Sequence, residues 1–283
     1  METRYILTLS CADARGIVAA VAGFLTEHYG FIIESAQFGD PSTQRFFMRV
    51  EFETGGETPP EQELKRLFQA KVAGAFGMEW HLHSKASRAR LLIMASREGH
   101  CLNDLLYRYR TGQLHVEIPA VVSNHPDFRG IVEWHGIPFH HLPNGDKAAQ
   151  EAGVREILAR ERIDVVALAR YMQILSPRLC SELSGRAINI HHSFLPSFKG
   201  AKPYHQAYAK GVKLIGATAH YVTTELDEGP IIEQEVARVD HTHSPDDLAA
   251  IGHDIECLVL ARALKFHVEH RVLPNGHKTV VFR

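Results

Sequence analysis

The segment Arg90-Leu91-Leu92-Ile93-Met94-Ala95 is almost continuously apolar. A strand with one wet face alternates apolar and polar residues. A strand without alternation must be covered on both faces, as in a parallel sheet between layers of helices. Comparable strand-length runs return as Val116 to Val122, Asp164 to Ala169, Ala187 to His191, Leu214 to Val222 and Ile231 to Val239, with Ile137 to Leu142 as a further candidate. Helical patterns lie among them: Leu102, Leu105, Leu106 and Tyr109 in one, Ala149, Val154, Ile157 and Leu158 within Asp146 to Arg162 in another. Strands alternating with helices define an α/β domain with a mostly parallel, twisted sheet. Ser244, Pro245 and Asp247 read as a helix start, and the helix is expected to run to about Glu269. Pro274-Asn275-Gly276 is a turn, with Val280, Val281 and Phe282 as a terminal strand. The domain is expected to span 90–283.

The chain before residue 84 follows a different rhythm. Tyr5, Leu7 and Leu9 alternate with Arg4, Ile6 and Thr8, Phe46, Met48, Val50 and Phe52 share one face of a later strand, and Met78, Trp80 and Leu82 alternate in a last one. Phe31 to Phe38 reads as another strand. Ile17, Val18, Val21, Phe24 and Leu25 form one apolar helix stripe, with Asp13 as its expected cap, Gly16 in its first turn and Gly30 as its stop. Leu64, Leu67, Phe68 and Val72 form a second stripe. The order β-α-β-β-α-β predicts a ferredoxin-like domain over 1–83, with a polar linker at 84–89. The segment Asp13-Ala14-Arg15-Gly16-Ile17-Val18 resembles the signature of ACT domains. That resemblance implies a regulatory module with an amino-acid effector, pairing through its sheet into a homo-oligomer. The alternative is a plain packing domain in which Gly16 only relieves a tight turn.

The 283 residues, 45% hydrophobic and 23% charged, suit one large globular domain or two ordinary ones. Lys plus Arg number 31 against 33 acids, a formal charge of −2, so no global basic field draws nucleic acid or an anionic membrane. No apolar run reaches the ~20 residues of a membrane span, and the N-terminal residues show no signal-peptide core. Cys11, Cys101, Cys180 and Cys257 lie far apart without a Cys-x-x-Cys, which predicts free thiols in a reduced cytoplasm.

Chemistry concentrates in two segments. Asn189-Ile190-His191-His192-Ser193-Phe194-Leu195-Pro196 closes a buried strand, and ligands of open α/β sheets bind beyond such ends. Residues two apart share a face, so Asn189 and His191 project together. An amide donor beside an imidazole suits a developing oxyanion. His220 to Pro230 leaves another strand end and carries Asp227 on a Gly-Pro turn. Asn, His and Asp meeting in one crevice can hydrolyse or transfer an acyl group. His192 faces away from His191 and is expected to pack or to bond a neighbour. Ser193 reads as a turn residue, since no Gly-x-Ser-x-Gly elbow surrounds it. His140-His141 and His241-Thr242-His243 lack an acid and third ligand at zinc spacing, so no metal is expected.

Asn189, His191, Ser193, Leu195 and Pro196, followed by Leu226, Asp227, Gly229 and Pro230, resemble the motif pair of the formyltetrahydrofolate-using enzymes. That family includes formyltransferases of glycinamide ribonucleotide and methionyl-tRNA, and hydrolytic deformylases. Ala169 to Pro177 is similar to its folate-pocket loop. The resemblance covers roughly residues 90 to 240 and implies a Rossmann-like formyltransferase domain. It implies Asn189, His191 and Asp227 as the catalytic set, and Met172, Ile174, Leu175, Val222 and Thr224 as the folate-binding wall. Lys199-Gly200-Ala201-Lys202 is either a solvated loop or a contact for the folate glutamate tail.

Two features favour the hydrolytic branch. Ser96-Arg97-Glu98-Gly99-His100 stands where the ribonucleotide enzymes carry a glycine-rich phosphate turn, and one glycine beside a glutamate makes a poor phosphate cradle. The ACT-like domain precedes the catalytic one, and His192 stands where relatives usually carry proline. The resemblance therefore implies hydrolysis of 10-formyltetrahydrofolate to tetrahydrofolate and formate, the formate supplying one-carbon and purine metabolism. The alternatives are formyl transfer to an amine, and an inactive folate- or amino-acid-binding regulator. Folate is then the substrate and no separate cofactor is expected. Either His191 or Asp227 could be the general base.

Overall fold

The computed structural model describes residues 3–195 and 203–283. The chain divides into two compact units: the stretch up to Arg88 together with Glu269–Arg283, and Ala89–Val268.

The first unit opens with β1 (Arg4–Ala12), α1 (Ile17–Glu27), β2 (Gly30–Asp40) and β3 (Arg45–Thr54). It continues with α2 (Glu61–Phe68), a π-type turn (Gln69–Ala73), the short α3 (Gly74–Phe76) and β4 (Glu79–Ser84). The strands make a four-stranded antiparallel sheet in the order β2-β3-β1-β4. Register sets Leu7 opposite Val50 and Leu82, and Leu9 opposite Met48 and Trp80. That face packs on Ile17, Val21, Phe24 and Leu25 of α1 and on Leu64 and Phe68 of α2. Asp13 does not cap α1. The helix begins after Gly16, whose φ of 93° lies in the left-handed region and which supplies no side-chain cap.

The second unit runs β5 (Ala89–Ala95), α4 (His100–Arg110), β6 (Val116–Ser123), α5 (Arg129–Trp134), β7 (Phe139–His141), α6 (Lys147–Arg160) and β8 (Val165–Ala169). It goes on through α7 (Pro177–Glu182), β9 (Ala187–His191), α8 (Pro203–Lys210), β10 (Leu214–Tyr221), β11 (Ile231–Arg238) and α9 (Pro245–Val268). Its seven-stranded sheet has the order β11-β10-β9-β8-β5-β6-β7. Strands β5 to β9 are parallel, and β10 is antiparallel to both its neighbours. Leu91 through Ala95, at the middle of this sheet, are wholly buried, the reason for their unbroken apolar run. The chain travels from β5 out to β7 and returns on the other side of β5 as β8, a switch point of the kind beside which ligands bind. Ser244 starts α9 through a reciprocal cap: Asp247 N–H donates to Ser244 Oγ, and Ser244 N–H donates to the Asp247 carboxylate. The six-residue α5 and α7 escape a periodicity reading because they are too short to repeat.

The terminal hairpin, β12 (Val272–Asn275) with β13 (Lys278–Val281), departs from expectation. It belongs with the first unit, so the second ends at Val268 rather than Arg283. Leu273 and Phe282 pack on Phe47, which points away from the helices. Asn275 Nδ2 donates to Asp40 at 2.7 Å, and Arg271 pairs with Glu34 at 3.0 Å. Arg49, almost fully buried, donates to Glu34 and to the Glu269 carbonyl. Phe47, Arg49 and Glu51 are all buried between the inward-facing residues of β3, and a strand covered on both faces needs a second cover. Among the described residues no helix is long and apolar enough to cross a membrane.

Candidate active site

Beyond the ends of β8 and β9 lies a cavity of about 270 Å³. Met172, Ile174 and Leu175 line it from the segment after β8, Asn189 and His191 from β9, and Val222, Thr224 and Asp227 from the segment after β10. Asn189 and His191 reach it together because they are two apart on one strand. Leu175 and Val222 are buried and continuous with the core beneath the sheet, whereas Met172 and Ile174 are exposed and form the apolar rim. The turn that carries Asp227 closes hard against β10. A Cβ on Gly229 would overlap the Tyr221 carbonyl, so the Gly-Pro step is a steric necessity. Asp227 itself has a φ of 58°, uncommon for a residue with a side chain and typical of functional loops. Lys199, Gly200, Ala201, Lys202 and Pro196 lie outside the described residues.

His191 Nδ1 lies 3.3 Å from Asp227 Oδ2, and His220 Nε2 lies 3.6 Å from Oδ1. Contact with His191 first, and then with His220, holds the Asp227 carboxyl well below the usual carboxylate range against the opposing effect of burial. A carboxylate so stabilised is a poor proton acceptor. His191 Nε2 is buried and has no partner among the described residues, leaving it for a ligand. His220 Nδ1 donates to the Tyr221 carbonyl at 2.9 Å, and its Nε2 faces Asn189 Nδ2 at 3.3 Å.

A second polar cluster adjoins the first. His192 does not face away from His191: β9 ends at His191, so strand alternation stops there, and the His192 ring stacks on His191 at 4.7 Å and lines the same cavity, accepting at Nδ1 from Arg170 Nη1 at 2.9 Å. Burial and the Arg170 charge lower its pKa to about 4, leaving it neutral near pH 7. Arg170 Nε lies 3.4 Å from Glu256 Oε2. The Glu256 side chain has no exposed surface, and it accepts from His100 Nε2 and Tyr204 Oη, each at 2.8 Å. Tyr204 fits only because position 252 is glycine, where a Cβ would overlap its hydroxyl. His100, Cys101 and Glu256, and likewise Glu98, His100 and His253, lie close enough to share an ion. The guanidinium beside Glu256 disfavours a cation at the first of these.

Sequence reasoning overlooked His220, Arg170 and Glu256. His220 meets Asn189 because the two are register partners across β10 and β9, a relation no local pattern carries. Arg170 owes its direction to a φ of 61° just after β8. Glu256 did leave a trace: it interrupts the apolar stripe of α9 between Ile255 and Val259.

The fold and the cavity point to an acyl-transfer site, and the comparisons agree. The family model described as formyl transferase matches residues 89–264. A formyltetrahydrofolate deformylase of Corynebacterium sp. strain P-1 is 51% identical over 100% of this chain and 99% of its own length. The solved structure of a formyltetrahydrofolate deformylase from Burkholderia mallei superposes with a TM-score of 0.94 at 51% identity, covering 99% of this chain and 100% of that one. The chain belongs to the formyltetrahydrofolate deformylase family, within the formyl transferases. A glycinamide ribonucleotide transformylase from Symbiobacterium toebii is more distant, at 28% identity and a TM-score of 0.66, covering 72% of this chain and 98% of that one.

Proposed function

We propose that the protein hydrolyses 10-formyltetrahydrofolate to tetrahydrofolate and formate in the cavity bounded by Asn189, His191 and Asp227. Water attacks the formyl carbon and gives a proton to His191 Nε2 as the oxygen–carbon bond forms. Asp227, facing Nδ1, fixes the tautomer and steadies the imidazolium. Asn189 donates to the oxygen that becomes negative, a contribution of ~3 kcal/mol by analogy with a known oxyanion donor. On collapse the bond from carbon to N10 breaks and His191 returns the proton to that nitrogen. Formic acid leaves and ionises to formate. The apolar rim at Met172 and Ile174 and the walls at Leu175 and Val222 suit a flat pterin. Folate is the substrate in this scheme, and no separate cofactor is called for.

The observation that favours hydrolysis over transfer lies at the turn after β5. A transferase acting on a phosphorylated amine must hold that phosphate, and a helix N-terminus after a strand is the natural cradle. Here the Phe128 ring fills the space over Gly99, and the Glu256 carboxylate already takes the His100 donor at the start of α4. A buried carboxylate repels a phosphate at that place. The test is formate release from 10-formyltetrahydrofolate by the purified protein without any amine, repeated with millimolar glycinamide ribonucleotide. Formate should appear at the same rate in both. Formylated amine appearing at a comparable rate would transfer the reading to a formyltransferase.

The first unit reads as an ACT-type regulatory module of a cytoplasmic homo-oligomer. Its strand order supports the ACT reading, and the exposed Phe31, Ile33 and Phe38 on β2, an edge strand among the described residues, support pairing between copies. Light scattering would report the oligomer, and a panel of amino acids added to the formate assay would report an effector.

A further inference from the structure

His191 and His192 adjoin in sequence, and their rings stack with centroids 4.7 Å apart and planes 23° from parallel. Each ring is anchored through Nδ1: His191 by the Asp227 carboxylate at 3.3 Å, His192 by the Arg170 guanidinium at 2.9 Å. Each Nε2 is buried without a partner among the described residues. The two anchors have opposite hydrogen-bonding character and therefore impose opposite tautomers. A carboxylate only accepts, so His191 places a hydrogen on Nδ1, and the neutral ring that acts as base in the proposed scheme keeps its lone pair on Nε2. A guanidinium only donates, so His192 carries its lone pair on Nδ1 and its hydrogen on Nε2. The second anchor is firmly held. Arg170 adopts a left-handed backbone with a φ of 61° and sits 3.4 Å from Glu256, which His100 and Tyr204 also grip.

We infer that His192 holds the attacking water, its Nε2–H donating to the water oxygen while the water donates to His191 Nε2, so that the stacked pair selects oxygen over nitrogen as the nucleophile. This rests on the hydrolytic reading with His191 as base. One water can bridge two nitrogens up to about 5.6 Å apart, a span comparable with the ring spacing. Water has two lone pairs. One accepts from His192 and the other attacks the carbon. An amine has a single lone pair, and once that is committed to the carbon, the His192 N–H faces only other N–H groups. The difference persists along the reaction. Hydrolysis places a second oxygen on the formyl carbon, and His192 remains a donor to it as it becomes the second oxygen of formate. Asn189 serves the first. His192 keeps its proton throughout, and only His191 exchanges one.

The experiment uses the full-length protein with His192→Phe, His192→Gln and Arg170→Met. Phenylalanine keeps a ring against His191 but has no donor. A glutamine amide can accept from Arg170 and donate to water, as the His192 tautomer does. Arg170→Met leaves His192 in place and frees its tautomer. Each is assayed with 10-formyltetrahydrofolate alone and with methylamine, a small amine that needs no remote binding and carries no oxygen, scoring N-methylformamide against formate. For His192→Phe, kcat should fall by about 100-fold with KM within about threefold, and the formamide-to-formate ratio should rise at least about tenfold. Arg170→Met should raise the ratio in the same direction, and His192→Gln should restore both rate and ratio towards wild type. A merely structural role would lower both products together. An unchanged ratio in His192→Phe and Arg170→Met, or a glutamine variant no better than phenylalanine, overturns the inference. His191→Ala separates it from the reading beneath: hydrolysis surviving that change removes the base, whereas loss there with no shift in the His192 ratio removes only the water-holding role.

Discussion

Replacing Asp227 by asparagine keeps the shape of the site and removes one charge. The carboxylate stands 3.3 Å from His191 Nδ1, and its side chain is 18% exposed. Opposite unit charges at ~4 Å attract by about 4 kcal/mol at an effective dielectric of ~20. In the proposed scheme the His191 charge forms as it takes the proton from water, so this attraction acts mainly on the transition state. The second imidazole, His220 at 3.6 Å, already shares the carboxylate and reduces what His191 receives. Taking about half leaves ~2 kcal/mol, or roughly 30-fold in rate. The asparagine amide adds a second fault. Its N–H can donate to His191 Nδ1, which moves the imidazole hydrogen to Nε2 and removes the base; a comparable substitution in the serine-protease triad costs ~10⁴. Between these limits kcat should fall by about 1,000-fold. KM should change little, because Met172, Ile174, Leu175 and Val222 supply the apolar wall and none of them is altered. Initial rates of formate release across a range of substrate concentration measure both constants. A kcat within about threefold of wild type, or a loss confined to KM, would refute the role given to Asp227.

Other changes test other parts of the argument. Gly229→Ala should abolish most activity and lower the Tm, because the added methyl must displace the Tyr221 carbonyl; an active, equally stable variant would show that the turn can open. His267, half-buried and bonded to the Tyr221 hydroxyl, has its pKa lowered to about 4 by desolvation, so the unfolded chain takes up its proton first. Its stabilising effect is therefore complete above the ordinary histidine value of ~6.5 and is lost as pH falls towards 4, with a slope of up to about 1.4 kcal/mol per pH unit. His267→Gln should flatten that loss in Tm between about pH 6.5 and 4.5, and an identical pH dependence would discount the group. A chain ending at Val268 should lose stability through its first unit, since Phe47 and Arg49 lose the cover of the hairpin; unaltered denaturant unfolding would mean that the hairpin is ornamental.

Much of this protein is local information. The buried strands β5 and β8 could be read because residues covered on both faces are apolar without interruption, and α9 because Ser244 and Asp247 write its cap into the chain. The sequence alone pairs Asn189 with His191 because a strand repeats every two residues, and it marks Asp227 by the Gly-Pro turn written beside it. Relations that depend on register, backbone twist or distant burial stayed hidden. The partnership of His220 with Asn189 exists only once β10 lies antiparallel to β9. The grip of Arg170 on His192 depends on a left-handed residue that no propensity foretells. Adjacency in sequence places the terminal hairpin with the domain that precedes it. The structure sends it to β3 instead, since Phe47 and Arg49 need a second cover. Periodicity reports which side of an element must avoid water, and only the assembled fold decides what comes to cover it.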